Sequence, residues 1–490
     1  MKILLVSPQT PDTFWSFKHV LKFVSKKSSI PPLGLLTVAA MLPPDWELRL
    51  VDKNVERLSD EDLRWADFVM ISAMIVHKES VREIVARCVA LGKRVIAGGP
   101  LFTTGHEVFP EIQHFVLGEA EEIIPQVVED MRHDRLQPIY KATGWPSLTQ
   151  TPIPRWDLID LKNYVTMSVQ FSRGCPFDCE FCDIIVMNGR VPRTKTPAQL
   201  IAELEALRQR GWQEMVFIVD DNFIGDKRRT RALLHELVAW RRRTQAAMGF
   251  LTEASVNLAD DAELCALMVE AGFTKVFVGI ETPSPESIEE CRKVQNRRDL
   301  VEAVHLLQQR GLEVMGGFIV GFDSDKTDIF KRQFEFIQRS GVVTAMVGLL
   351  AALPQTRLYK RLQAEGRLET ETSGNNTDGA LNFKPKLNRE FLQAGYRDLM
   401  KKLYEPKVYY QRVRTFLKNH KKISGPSLRL SGADFMAFVK SFWLLGIWYR
   451  GRVAYWGFFW STLLRRPHQL RLAIEFAIIG YHFRRVAQEG

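Results

Sequence analysis

Apolar and polar positions alternate in blocks over the first 140 residues of this chain. The runs "KILLVSP", "WELRLVD", "DFVMISAMI", "KRVIAGGP" and "HFVLGEA" show little polar alternation, as expected of strands in a parallel sheet covered on both faces. Stretches of helical period stand between them: "PLGLLTVAAML", "DEDLRWA" and "ESVREIVARCVALG", with "EEIIPQVVEDMRH" after the last. The pattern predicts a doubly wound α/β domain over 1–140. Such a domain binds ligands beyond the carboxyl ends of its strands. Ser7 and Pro8, Ser72, Gly98 and Gly99, and Gly118 and Glu119 fall at those ends. The prolines at 138, 146, 152 and 154 mark a linker, placed at 141–163.

From 164 to 365 the rhythm restarts with longer units. Predicted strands are "VTMSVQFS", "EMVFIVDD", "FLTEASVN", "KVFVGIE", "EVMGGFIVGF" and "TAMVGLLAAL", separated by helical patterns such as "PAQLIAELEALRQRG". Six such βα units predict a partial (β/α)6 barrel, with its chemistry at the C-terminal ends of the strands. Residues 366–490 follow as a third region: an irregular, Gly- and Asn-rich loop at 369–383, then a helical tail rich in basic and aromatic residues.

Charge changes the picture only in that tail. The net charge is +10, and residues 401–490 hold 17 Lys and Arg against 4 Asp and Glu. The whole basic excess therefore lies there, and only the tail calls for an acidic partner. Trp443, Trp448, Trp456 and Trp460 are interleaved with Arg450, Arg452, Arg465 and Arg466. The longest charge-free run there, Val453 to Leu464, is 12 residues, against the roughly 20 needed to span a bilayer. The tail reads either as a peripheral membrane contact, with Trp rings at headgroup depth, or as a helical cap on the barrel. The apolar run in "MKILLVSPQTPD" is too short for a signal peptide. It predicts a cytoplasmic protein, peripheral on the inner membrane if the tail contacts lipid.

Six cysteines in 490 residues make no disulfide framework, and a reducing compartment fits them. Cys88, Cys265 and Cys291 lie singly in helix-like stretches and read as buried thiols. Cys175, Cys179 and Cys182 crowd into "RGCPFDCEFC", residues 173–182, directly after the first barrel strand. A structural zinc or a fully protein-ligated [4Fe–4S] cube needs four ligands. His235 and Cys265, the next candidates, sit in helical patterns too far along the chain to complete either by local spacing. Three thiolates around a four-iron cube leave one iron open.

The spacing C-x3-C-x2-C, with Phe181 before the last cysteine, resembles the radical S-adenosylmethionine enzymes. The resemblance implies that Cys175, Cys179 and Cys182 hold a [4Fe–4S] cluster and that S-adenosylmethionine fills the open iron. Electron transfer, from a low-potential donor of flavodoxin or ferredoxin type, would then release a deoxyadenosyl radical. Later strand ends match the family more loosely: Asp220, Asp221 and Asn222 at the second, Glu253 and Ser255 at the third, then Gly279 and Glu281, and Val320 and Gly321. These imply contacts to the S-adenosylmethionine.

A doubly wound domain ahead of such a barrel, with "SIPPLGLLTVAAMLP" and "AGGP", resembles the cobalamin-binding class of these enzymes over nearly the full length. The resemblance implies a Rossmann-like cobalamin domain, with contacts from Ser7, Pro8, Leu33, Gly34, Ser72, Gly98, Gly99, Gly118 and Glu119. None of the ten histidines stands in a D-x-H-x-x-G motif, so the familiar lower ligand is missing; His19 is the nearest substitute. The stretches around the cysteines and "GIETPSPESIEECRKVQN" look most like the subgroup of hopanoid C-2 methylases. That implies methyl transfer to an unactivated carbon of an apolar lipid, with a non-methylating rearrangement, cyclisation or oxidation as the alternative. Radical enzymes that modify tRNA carry further N-terminal cysteines and a small β domain. This chain has neither, so no nucleic-acid partner is expected.

Overall fold

The computed structural model describes residues 1–421 and 432–489. The first sheet is built from β1 (Lys2–Ser7), β2 (Glu47–Asp52), β3 (Phe68–Ser72), β4 (Arg94–Gly98), β5 (His114–Leu117) and β6 (Ile139–Lys141). All pairings are parallel, in the order β2-β1-β3-β4-β5-β6. The unbroken apolar character of β1 has a simple cause. Ile3 and Leu5 pack under helices Leu33–Met41 and Ile124–Arg132, while Leu4 and Val6 pack under Lys78–Ala90 and Pro100–Gly105. Strand β6 was not expected. It lies where prolines made the sequence read as linker, and it is held only at the sheet edge, where Pro138 carries no needed donor.

The chain reverses its direction of sheet growth between β1 and β3, and this switch point opens a crevice at the strand ends. Residues 142–166 then cross to the second unit. Tyr164 donates a hydrogen bond to Asp52 at 3.0 Å, tying the two together.

The second unit is an open barrel of six parallel strands. Strand β7 (Met167–Val169) is followed by a short antiparallel pair, β8 (Ser172–Arg173) and β9 (Arg193–Thr194). The barrel continues through β10 (Val216–Ile218), β11 (Phe250–Glu253), β12 (Phe273–Glu281), β13 (Glu313–Val320) and β14 (Ala345–Leu349), in the order β14-β13-β12-β11-β10-β7. Each of the six runs read as a strand forms one.

The tail folds as helices Arg389–Leu403, Pro406–Asn419, Gly432–Trp443, Arg452–Arg465 and Leu470–Glu489. One side is packed: Phe483 stacks on Tyr404 at 5.0 Å and meets Phe14 at 5.5 Å, and Arg412 is buried on the carbonyls of Leu403 and Val343. Another side leaves Trp443, Trp448, Val453, Trp460 and Leu464 exposed. Among the described residues no helix is long and apolar enough to cross a membrane.

Candidate active site

The cysteine loop is held in place by the end of the neighbouring strand. Strand β10 delivers Asp220, whose carboxylate accepts from the Phe171 amide at 2.7 Å and the Ser172 hydroxyl at 2.6 Å. Asp221 accepts from the Gly174 amide at 2.8 Å and from Asn188 at 2.9 Å. Gly174 has φ +94°, and a Cβ there would meet the carbonyls of Asn188 and Val191 at 3.0 Å. Only glycine fits this entry to the loop. Asn222 points the other way, with Nδ2 3.8 Å from Cys175 Sγ and 3.2 Å from Ser255 Oγ. Asp220 and Asp221 thus position the loop, while Asn222 stands at the Cys175 thiol with Ser255 behind it.

None of the three thiols is in a disulfide. Burial pushes all three above the ordinary thiol range. Among the described residues no three His, Cys, Asp or Glu side chains converge as they would around one metal ion. Three thiols are one short of the four ligands of a structural zinc, and they fit three irons of a cube. The lone cysteines 88, 265 and 291 are buried.

A buried cation completes the surroundings of the loop. Lys293 pairs with Glu281, lies 5.8 Å from the Phe181 ring centroid, and is held charged by Glu281 against the cost of burial. Gln295 Nε2 lies 3.8 Å from Cys179 Sγ. Sequence reading missed both residues. They sit in the stretch that carried the subgroup resemblance, but nothing in its spacing favoured Lys293 over Arg292. Glu281 itself adopts φ +64°, and a Cβ on Gly279 would come within 2.4 Å of its carboxylate. Glu253 is different again. Its carbonyl accepts from the Phe223 amide at 2.9 Å, but its carboxyl has no hydrogen bond or ion pair among the described residues, and burial, with Asp221 and Asp220 adding, pushes it up to about 8.

Phe181, Gly279 and Glu281 line a cavity of about 310 Å³ with Gly317 and Leu350, roofed by the loop Thr370–Asn382. Val320 ends its strand buried, and Gly321 (φ +111°) donates to Asp325 at 2.8 Å. Neither lines that cavity.

A second cavity, of about 410 Å³, fills the crevice of the N-terminal sheet. Ser7, Leu33, Gly34 and Ser72 line it, and Ser168 and Val219 of the barrel close its far side. Gly99, at φ +94°, is not on its wall; it packs against the end of β3, where a Cβ would lie 2.8 Å from Ser72 Oγ. Closed by both units, the crevice lies where a doubly wound sheet takes its ligand. The other predicted residues stand outside it. Pro8 offers its carbonyl to Asn54, Gly98 packs on Val116, and Gly118 donates to Thr103. Glu119 pairs with Arg173 and Arg193. His19 lies in the helix Lys18–Val24, its ring 5.6 Å from that of His482, and is not on the cavity wall. His77 is on that wall. It accepts from the Met74 amide at 3.2 Å through Nδ1, faces Thr10 Oγ1 at 3.1 Å through Nε2, and is lowered to about 4 by burial.

Comparison with known proteins agrees with this layout. Residues 23–128 match the B12 binding domain, residues 169–352 the Radical SAM superfamily, and residues 356–490 a domain of unknown function, DUF4070. The chain is 42% identical to an uncharacterized methyltransferase of Synechocystis sp., over 99% of this chain and 91% of that one. It is 32% identical to the hopanoid C-2 methylase of Rhodopseudomonas palustris, over 100% of this chain and 94% of that one. The chain belongs to the cobalamin-binding radical S-adenosylmethionine methyltransferases. Its fold is that of two solved cobalamin-dependent radical enzymes. It superposes on OxsB with a TM-score of 0.62 at 12% identity, covering 100% of this chain and 79% of that one. On TsrM from Kitasatospora setae the TM-score is 0.61 at 16% identity, covering 97% and 99%. As a member of this family the methyltransferase uses a [4Fe–4S] cluster, S-adenosylmethionine and cobalamin.

Proposed function

We propose that this enzyme methylates an unactivated carbon of an apolar lipid of the hopanoid class. The observation that carries the reading is the end-to-end match to a hopanoid C-2 methylase at 32% identity; the hopanoid C-3 methylase of Methylococcus capsulatus matches only 45% of the chain, at 24%. When bound, the cluster with S-adenosylmethionine supplies a carbon radical that removes a hydrogen atom, and cobalamin supplies the methyl group.

The protein's own part is binding, orientation and exclusion of water. Cys175, Cys179 and Cys182 hold the cluster. Lys293 places a positive charge beside thiolates in a low-dielectric site, where it is worth far more than in water. Asn222, Ser255, Phe181, Gly279 and Glu281 bound the space for S-adenosylmethionine, with Glu253 as a neutral carboxyl able to donate a hydrogen bond. Ser7, Leu33, Gly34 and Ser72 form the cobalamin cradle, and His77, with both nitrogens occupied, is a neutral group on a wall that also carries Lys27 and Asp52. The exposed Trp443, Trp448 and Trp460, on a basic tail, serve as the contact with a lipid surface. Electrons come from a low-potential donor protein.

The alternative outcome is cyclisation or oxidation without methyl transfer. Similarity to an anaerobic magnesium-protoporphyrin IX monomethyl ester cyclase, 23% identical over 66% of the chain, supports it. Anaerobic incubation with methyl-labelled S-adenosylmethionine and extracted hopanoids separates the two. Label in a lipid heavier by one methylene is expected; a converted product without label overturns the methylation reading. Cys179→Ala should lose both cluster loading and turnover, and retained methylation would refute the cluster assignment.

A further inference from the structure

A cavity of about 920 Å³, larger than the two already described, opens beneath the barrel at the N-terminal ends of its strands. It is at the upper end of the roughly 300–1,000 Å³ of small-molecule sites. Leu251 and Met315 of the barrel form its ceiling, and Ile474 and Ile478 of the last helix form its floor. Trp15 belongs to this cavity and also to the one beside the cysteine loop. Its ring lies flat on Phe217, with centroids 6.2 Å apart and planes at 11°, and 5.1 Å from Phe277. The next residue, Ser16, lines the cavity of the cobalamin domain. Three spaces therefore meet at residues 15 and 16, and one aromatic ring partitions the lower space from the chemistry above.

The wall also states what the lower space accepts. Its charged groups are Lys275, Glu313, Glu475 and Arg471, with the imidazole of His468 alongside. Lys275 is committed to both carboxylates, 3.1 Å from Glu313 and paired with Glu475. No hydroxyl or backbone amide among the described residues reaches the buried Glu313 carboxylate. Beside Lys275, an anionic head group would meet two carboxylates and a cation already shared between them. An uncharged lipid meets apolar side chains. Phe435 lines the mouth and is 66% exposed, next to the equally apolar Met436, so the opening lies beside the apolar surface of the tail. A lipid insoluble in water needs such a continuous path.

We propose that this cavity holds the body of an uncharged polycyclic or isoprenoid lipid, entering from the tail side with its reactive end at Trp15. The proposal rests on the lipid methylation reading and specifies how that substrate is held. The test fills the cavity from its floor with Ile478→Trp and, more gently, Ile474→Phe in the full cofactor-loaded enzyme. Binding of diploptene, an uncharged pentacyclic hopanoid, is measured by transfer from vesicles, with palmitate as competitor and iron and cobalamin contents reporting on folding. Wild-type enzyme should bind diploptene without competition from palmitate. The filled variants with normal cofactor content should bind it about tenfold more weakly or worse. Binding by correctly loaded variants at wild-type strength, effective competition by palmitate, or no diploptene binding by wild-type enzyme overturns the proposal. Wild-type enzyme that binds diploptene in this cavity but transfers no methyl group sinks the methylation reading alone. Filled variants that methylate hopanoids normally sink this proposal alone.

Discussion

Arg173, two residues before Cys175, donates from Nη1 to Glu119 Oε2 at 2.7 Å. Glu119 lies just past the end of strand β5 in the cobalamin domain, so this bond joins the two cofactor-bearing units at their active faces. Glu121 meets the same guanidinium at 2.8 Å, and Arg193 on strand β9 donates to Glu119 at 2.9 Å. Arg173 and both carboxylates are largely buried.

Removing one partner of such a buried network strands the other charge. Arg173→Ala should therefore cost about 3–5 kcal/mol and loosen the entry to the cysteine loop. Denaturant unfolding of the apoprotein and iron content after anaerobic reconstitution check this. An unchanged midpoint together with full iron content would show that the network does not position the loop.

Gly279→Ala tests the pair beside the cysteines. A methyl group there would lie 2.4 Å from Glu281 Oε1 and 2.6 Å from Lys293 Nζ, so the pair must shift. S-adenosylmethionine binding should weaken by about tenfold or more, with iron content nearly retained, as measured by equilibrium dialysis against the labelled compound. Wild-type affinity would place the compound away from Gly279.

His77 makes stability depend on pH. Its pKa falls from the ordinary 6.5 to about 4 in the folded protein because burial disfavours the charged ring. Above the unfolded value its contribution is fully present. As pH falls from about 6.5 towards 4 the unfolded chain takes up a proton that the folded one refuses, and about 3 kcal/mol is lost. The stability difference between wild type and His77→Gln, followed by urea unfolding across that window, should shrink as pH falls. A difference constant with pH would mean that His77 takes up its proton in the fold as readily as in the unfolded chain.

Much of this protein is legible locally. A strand covered on both faces leaves an unbroken apolar run, as β1 does, and the cysteines declare themselves by spacing within ten residues. Those signals are carried by neighbours in the chain, so no tertiary information is needed to find them. Other features left no local signal. Strand β6 stands beside prolines that read as linker, and spacing does not show that Asp220 and Asp221 also brace the cysteine loop.

The sequence by itself determined the two β/α units, the helical tail and the chemistry of a three-cysteine loop, because period and spacing are properties of short segments. Only the tertiary structure decided that Lys293 and Gln295 face the thiols, that Glu119 reaches across to Arg173, that His77 rather than His19 lines the crevice of the first sheet, and that Trp15 stands between two cavities. Each of these joins residues brought together by packing. Burial and charge pairing arise only when the chain closes on itself, and no pattern along one segment records them.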